Sequence, residues 1–105
     1  MTVLRYKETH LDFDNAEAFK QILEHLKQHG FEDMSCKNDT CPCIWRENKD
    51  HSSWTIWIDY KNPELRECKE MSEFAVVKKV EDDDVVLESE FTTVDQLIAD
   101  LEKAL

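Results

Sequence analysis

The chain has 105 residues, 41% of them hydrophobic, and carries a net charge of −11 from 24 acidic and 13 basic side chains. That suffices for one core and one domain, 1–105, and the single glycine, Gly30, excludes dinucleotide fingerprints, phosphate-cradling loops and the nucleophile elbow, each of which needs several glycines. The acid excess repels phosphate backbones and argues against direct nucleic-acid binding, and no apolar run reaches the roughly 20 residues of a membrane span. The opening MTVLRYKETHLD has no apolar stretch of the signal-peptide kind, so a cytoplasmic protein with reduced cysteines is expected.

The charge is uneven. From Glu81 onward nine acids face Lys103 alone, a net of −8, whereas the first eighty residues hold fifteen acids and twelve bases, a net of −3. Such a field favours a basic protein partner and otherwise serves solubility.

Val3–Glu8 reads as a short first strand. A helix follows over Asn15–His29, with Asp14 as its cap, Glu17 at the capping-box position and Phe19, Ile22, Leu23 and Leu26 as one apolar stripe. Gly30 stands where a left-handed helix terminator belongs. Phe31–Lys37 and Cys41–Glu47 read as strands flanking the turn formers Asn38-Asp39, with Pro42 marking an edge or an irregular start.

Ser52–Tyr60 alternates cleanly, with Trp54, Ile56, Ile58 and Tyr60 on one face and Ser53, Thr55, Trp57 and Asp59 on the other. Pairing Glu47 with Ser52 sets Trp45 against Trp54, Cys43 against Ile56 and Cys41 against Ile58, which brings both apolar faces onto one core. Pro63–Met71 reads as a helical turn with Pro63 in first position. Phe74–Glu81 and Asp84–Phe91 form a hairpin around Asp82-Asp83, with Phe74, Val76, Val80, Val85, Leu87 and Phe91 on its apolar side and Glu88 and Glu90 on the wet side. Lys78 falls on the apolar side with no evident reason. Thr93 caps a last helix, Val94–Leu105, striped by Val94, Leu97, Ile98, Leu101 and Leu105. The expected fold is α+β: a two-layer sandwich of about six mostly antiparallel strands, with the helix after the first strand and the C-terminal helix on one face.

Cys36, Cys41, Cys43 and Cys68, with His51, supply ligand types that zinc prefers, but Cys-Pro-Cys is too tight for a zinc knuckle and for a redox Cys-x-x-Cys. Buried apolar thiols outweigh a thiolate metal site, and no cofactor is expected. Cys36 and Cys41 could face each other across the Asn38-Asp39 turn. His25 and His29 share a helix face but lack a third ligand in the sequence. No nucleophile and base can be assembled from spacing, so no enzyme is expected.

Trp57, beside Thr55 and Asp59, places a large ring on the face that should be wet. It is covered within the monomer, meets a subunit or partner, or with Trp45 holds a small ligand. The expected function is a small acidic interaction module of the immunity, antitoxin or inhibitor type, docking a basic protein or self-associating. The open sheet face with Trp57 and the acidic hairpin with Glu88 and Glu90 would supply the contacts. A small-ligand binder and a thiolate metal protein are the alternatives.

Overall fold

Phe19, Ile22, Leu23 and Leu26 recur at helical spacing, and each is at most 3% exposed on helix α2 (Ala16–Leu26). This is seen in a computed structural model, which describes residues 4–68, 70, 72–80 and 84–105. A short helix α1 (Tyr6–Thr9) precedes α2, and a 3-10 turn, Lys27–His29, extends it to Gly30, whose φ of +87° is the expected left-handed terminator. Strands β1 (Glu32–Asp33), β2 (Cys43–Glu47), β3 (Ser53–Ile58), β4 (Phe74–Lys79) and β5 (Val85–Phe91) follow, and helix α3 (Val94–Ala104) closes the chain.

The strands form one antiparallel sheet in sequence order. Ile44, Trp54, Ile56, Ile58, Phe74 and Val76 pack with the stripes of α2 and α3 into the main core. The α+β two-layer class is as expected, with five strands among the described residues in place of about six. Thr93 caps α3 by accepting from the Gln96 N–H at 3.2 Å. Leu97 and Leu101 are buried, while Leu105 at the helix end stays 38% exposed.

Several expectations need correction. The N-terminal segment is helical at Tyr6–Thr9 and not a strand there; Val3 lies outside the described residues. Tyr6 stacks at 4.7 Å on Phe19 and 5.7 Å from Phe13, and its N–H donates to the Asp33 carboxylate at 2.9 Å. These tertiary contacts override the β preference of its residues. Asp14 does not cap α2. Asn15 stands at the position before the first helical residue but makes no side-chain capping bond, and the Asp14 carboxylate instead accepts from the N–H groups of Lys61 and Asn62 at 2.7 and 2.9 Å, fixing the chain just past β3.

The third correction matters most for function. Glu47 pairs with Ser53 and not Ser52, so Cys43 lies opposite Trp57, Ile44 opposite Ile56 and Trp45 opposite Thr55. A slip of one residue exchanges the faces. Cys43 and Trp45 therefore leave the helix side and join Trp57 on the reverse side. The cause is the turn. Asn48 N–H donates to the Ser52 carbonyl at 2.7 Å, and His51 takes a left-handed φ of 69°, the conformation that ends a three-residue hairpin loop. Left-handed backbone costs a non-glycine residue about 1–2 kcal/mol. His51→Gly is therefore expected to stabilise the fold by about 0.5 kcal/mol in urea unfolding, after the extra freedom glycine gives the unfolded chain is subtracted. The exposed Glu47–His51 pair that it removes contributes little. A lower stability would contradict this account of the turn.

The last hairpin keeps the expected pairs Phe74/Phe91, Val76/Ser89 and Lys78/Leu87. An irregularity between Lys78 and Lys79 then sets Lys79 against Val85, displacing the expected Val80/Val85 pair. Asp82 and Asp83 lie outside the described residues. Val80, Val85 and Leu87 do not join the core, being 37%, 53% and 44% exposed. Lys78 has its explanation here: its ammonium sits 5.1 Å from the centre of the Trp54 ring, a cation–π contact at the margin of the core.

Candidate binding groove on the reverse face of the sheet

Strand alternation and the observed register build two rows across the side of the sheet opposite α2 and α3. One row is Cys43, Trp57, Ala75 and Glu90; the next is Trp45, Thr55, Val77 and Glu88. Cys43, Thr55, Ala75 and Val77 are all at least nine-tenths buried, although neither helix lies over them. Two connecting segments provide the cover, and between them a depression of about 480 Å³ stays open. Trp57, Ala75 and Val77 line it from the strands, Asn38–Cys41 form one bank, Glu67, Cys68, Ser72 and Glu73 form the other, and Asp59 and Glu88 complete the rim.

Both banks are held in place. On the first, a turn closes from Asp39 N–H to the Cys36 carbonyl at 3.1 Å, and the buried His10 places Nε2 at 2.9 Å from the Asp39 carbonyl. On the second, Arg66 donates from Nε to the Tyr60 carbonyl at 2.7 Å and from a terminal nitrogen to the Lys61 carbonyl at 3.2 Å. That nitrogen also lies 3.6 Å from Glu73 Oε1. The other Glu73 oxygen accepts from Asn15 Nδ2 at 3.1 Å. Glu90 Oε1 accepts from the Ser72 N–H at 3.1 Å, pinning this bank to the edge strand.

The charge left over is one-sided. Glu73 is matched by Arg66, but among the described residues the carboxylates of Asp39, Asp59, Glu67 and Glu88 form no ion pair. No lysine lines the depression among those residues, and Lys79 lies one row beyond Val77. Asp59 is half-buried; its Oδ1 accepts from the Tyr60 N–H at 2.8 Å, and burial raises its pKa above the usual carboxylate value, against smaller lowerings by that N–H and by Arg66. A half-buried anion of this kind gains from a cation brought to it.

The residues singled out in the sequence divide by role. Trp57, Asp59 and Glu88 line the groove, and Thr55 is buried beside Trp57's row. Trp45 shares the face, half-buried, one row away from Trp57 and outside the lining. Glu90 acts as a structural pin. Cys36 and Cys68 are exposed, Cys41 and Cys43 are buried, and all four are free thiols. Burial pushes the Cys41 and Cys43 thiols up to about 12, reinforced by Asp59 for the first and Asp39 for the second, so both stay protonated at neutral pH. Among the described residues no group of three or more His, Cys, Asp or Glu side chains is placed to hold a metal ion. His25 Nε2 meets Glu102 of α3 at 3.1 Å and so ties α2 to α3, whereas the buried His29 Nε2 lies 3.7 Å from the same carboxylate and makes no hydrogen bond among the described residues.

Asp39, Glu67, Ala75 and Val77 gave no sequence signal as site residues. Asp39 and Glu67 are far apart in the chain, and only the register of β2 on β3 shows that their segments face each other across Trp57. Comparison with protein-family models, with curated proteins and with solved structures finds no match to this chain.

Proposed function

We propose that this protein is a small, non-catalytic interaction module that docks a basic protein partner on the reverse face of its sheet, in the manner of an immunity, antitoxin or inhibitor protein. One observation carries the reading: four carboxylates without cation partners among the described residues ring an apolar floor that contains a half-exposed tryptophan. Charge of one sign around a concave surface concentrates oppositely charged partners and speeds their encounter. The floor supplies area to desolvate, and tryptophan is the side chain most enriched at binding hot spots. The buried Cys41 and Cys43 thiols are held protonated, the opposite of what a cysteine nucleophile requires. Four free thiols suit a reducing compartment such as the cytoplasm. Among the described residues no helix is long and apolar enough to cross a membrane.

Titration calorimetry with a mixed lysine–arginine peptide tests this. Saturable binding at about 20 mM salt that weakens at least tenfold by about 300 mM is the expected result, since screening shortens the reach of exposed charge. Absence of binding at low salt, or affinity indifferent to salt, counts against the reading.

Self-association is a second reading, favoured by β5. It is an edge strand on which Val85, Val86 and Leu87 are 53%, 56% and 44% exposed, and free strand edges pair readily. Sedimentation velocity decides it: a concentration-dependent dimer supports edge pairing, and a monomer at all concentrations removes it.

A further inference from the structure

We infer that the groove is built for an arginine side chain, whose guanidinium lies against the Trp57 ring within the ring of carboxylates. This rests on the basic-partner reading above and narrows it to one anchor. Three features of the groove choose the occupant. The unmatched negative charge of Asp39, Asp59, Glu67 and Glu88 selects a cation over a neutral or anionic group. The exposed part of the Trp57 indole, next to Ala75 and Val77, offers a flat apolar surface on which a planar cation can stack.

The third feature separates arginine from lysine. Asp59 is half-buried, with its Oδ2 making no hydrogen bond among the described residues. Approach to it requires the incoming cation to shed water. Guanidinium is weakly hydrated, stacks on aromatic faces and presents paired donors to a carboxylate, whereas ammonium is compact and strongly hydrated. A chain reaching in from the β5 side passes Glu88, which sits on the edge strand in the row of Val77 and Thr55. Long-range attraction by the acidic C-terminal third would bring a basic partner near; the groove would then decide which of its side chains is seated.

The test uses the full chain and three capped peptides of equal length, carrying three arginines, three lysines or three citrullines, in titration calorimetry at low salt. The arginine peptide is expected to bind at least about fivefold more tightly than the lysine peptide and at least tenfold more tightly than the citrulline peptide, which keeps the shape and loses the charge. Trp57→Ala is expected to weaken the arginine peptide about tenfold, roughly 1.4 kcal/mol of affinity. Trp57→Phe should retain part of it. Asp59→Asn, which keeps the acceptor for the Tyr60 N–H, and Glu88→Gln should each weaken it severalfold, so the outcome does not hang on one variant's folding. Wild-type affinity should also fall as the pH is lowered through the raised Asp59 pKa, because only the carboxylate attracts the cation. Equal binding of arginine and lysine peptides overturns the inference, as does arginine binding that survives all the substitutions. The first result leaves a basic partner on this face with no preference for arginine; the second moves the docking of a basic partner off the groove. Absence of binding by both cationic peptides removes the broader reading as well.

Discussion

Replacing Asp33 by alanine is expected to destabilise the fold by about 3–5 kcal/mol. Asp33 is 2% exposed, and its carboxylate gathers three donors: Tyr6 N–H at 2.9 Å, Ser35 N–H at 2.9 Å and Ser35 Oγ at 2.6 Å. Ser35 Oγ in turn accepts from the Cys43 N–H at 3.2 Å, so one carboxylate joins α1, β1 and the start of β2. Alanine leaves two buried N–H groups without acceptors at about 1–3 kcal/mol each, and the Ser35 hydroxyl loses its partner too. Asparagine keeps one acceptor but turns an amide N–H₂ towards a donor, so Asp33→Asn should fall between wild type and alanine. Urea unfolding followed by tryptophan fluorescence measures both. A loss below about 1 kcal/mol for Asp33→Ala would show that the hub is dispensable.

A second large effect is expected at alkaline pH. Cys41 and Cys43 are each about 5% exposed, and burial pushes both thiols from the ordinary value of 9.0 up to about 12. Between those values the unfolded chain has released protons that the folded chain retains, so stability falls as pH rises. Below about pH 8 both states are essentially protonated, and the two thiols leave stability unchanged. By pH 11 they together lower stability by on the order of 5 kcal/mol, a large part of what a domain of this size holds. Tyr60, also raised to about 12 by burial and by the Asp12 carboxylate that accepts its hydroxyl at 2.9 Å, pulls in the same direction. Unfolding free energies between pH 8 and 11 check this. The double variant Cys41→Ala, Cys43→Ala should flatten most of the slope, and an unchanged slope would place its origin elsewhere.

What the sequence made legible was whatever a local pattern decides. Phe19, Ile22, Leu23 and Leu26 repeat at helical spacing and are buried as that spacing requires; Thr93 caps its helix, and Gly30 is left-handed. The β4–β5 pairs are set by a short connection and were readable as far as Lys78. Decisions made at a distance were not readable. Tyr6 becomes helical because Phe19 and Asp33, remote in the chain, hold it there.

The site shows the same division. Trp57 stood out as a ring on the wrong face and does line the groove, and Asp59 and Glu88 lie with it. The register of β2 failed because a one-sided sheet was assumed. In the folded chain both sides of the central strands are buried, one by helices and the other by the segments around Asp39 and Glu73, so apolar character alone could not say which side Trp45 and Cys43 take. His51, a non-glycine residue in left-handed backbone, settled the parity of the loop. Glu90 shares the row of Trp57 and Ala75, and its Oε1 accepts from the Ser72 N–H, a contact between distant segments that no local pattern shows.

These features give the two faces different work. The helix side supplies the core, with the contact of His25 on Glu102 and the ammonium of Lys78 on Trp54 at its margins. The reverse side has its own buried thiols and threonine, two anchored banks and a rim of like charge. Binding, on this account, belongs to the second side alone.

Amide chemical-shift mapping during titration with the arginine peptide tests that claim most directly. Saturable shifts centred on Asp39, Trp57, Ala75, Val77 and Glu88, with the Trp57 indole N–H among the largest, are the result expected here. Shifts concentrated instead on α3, with the groove unperturbed at saturation, would contradict it.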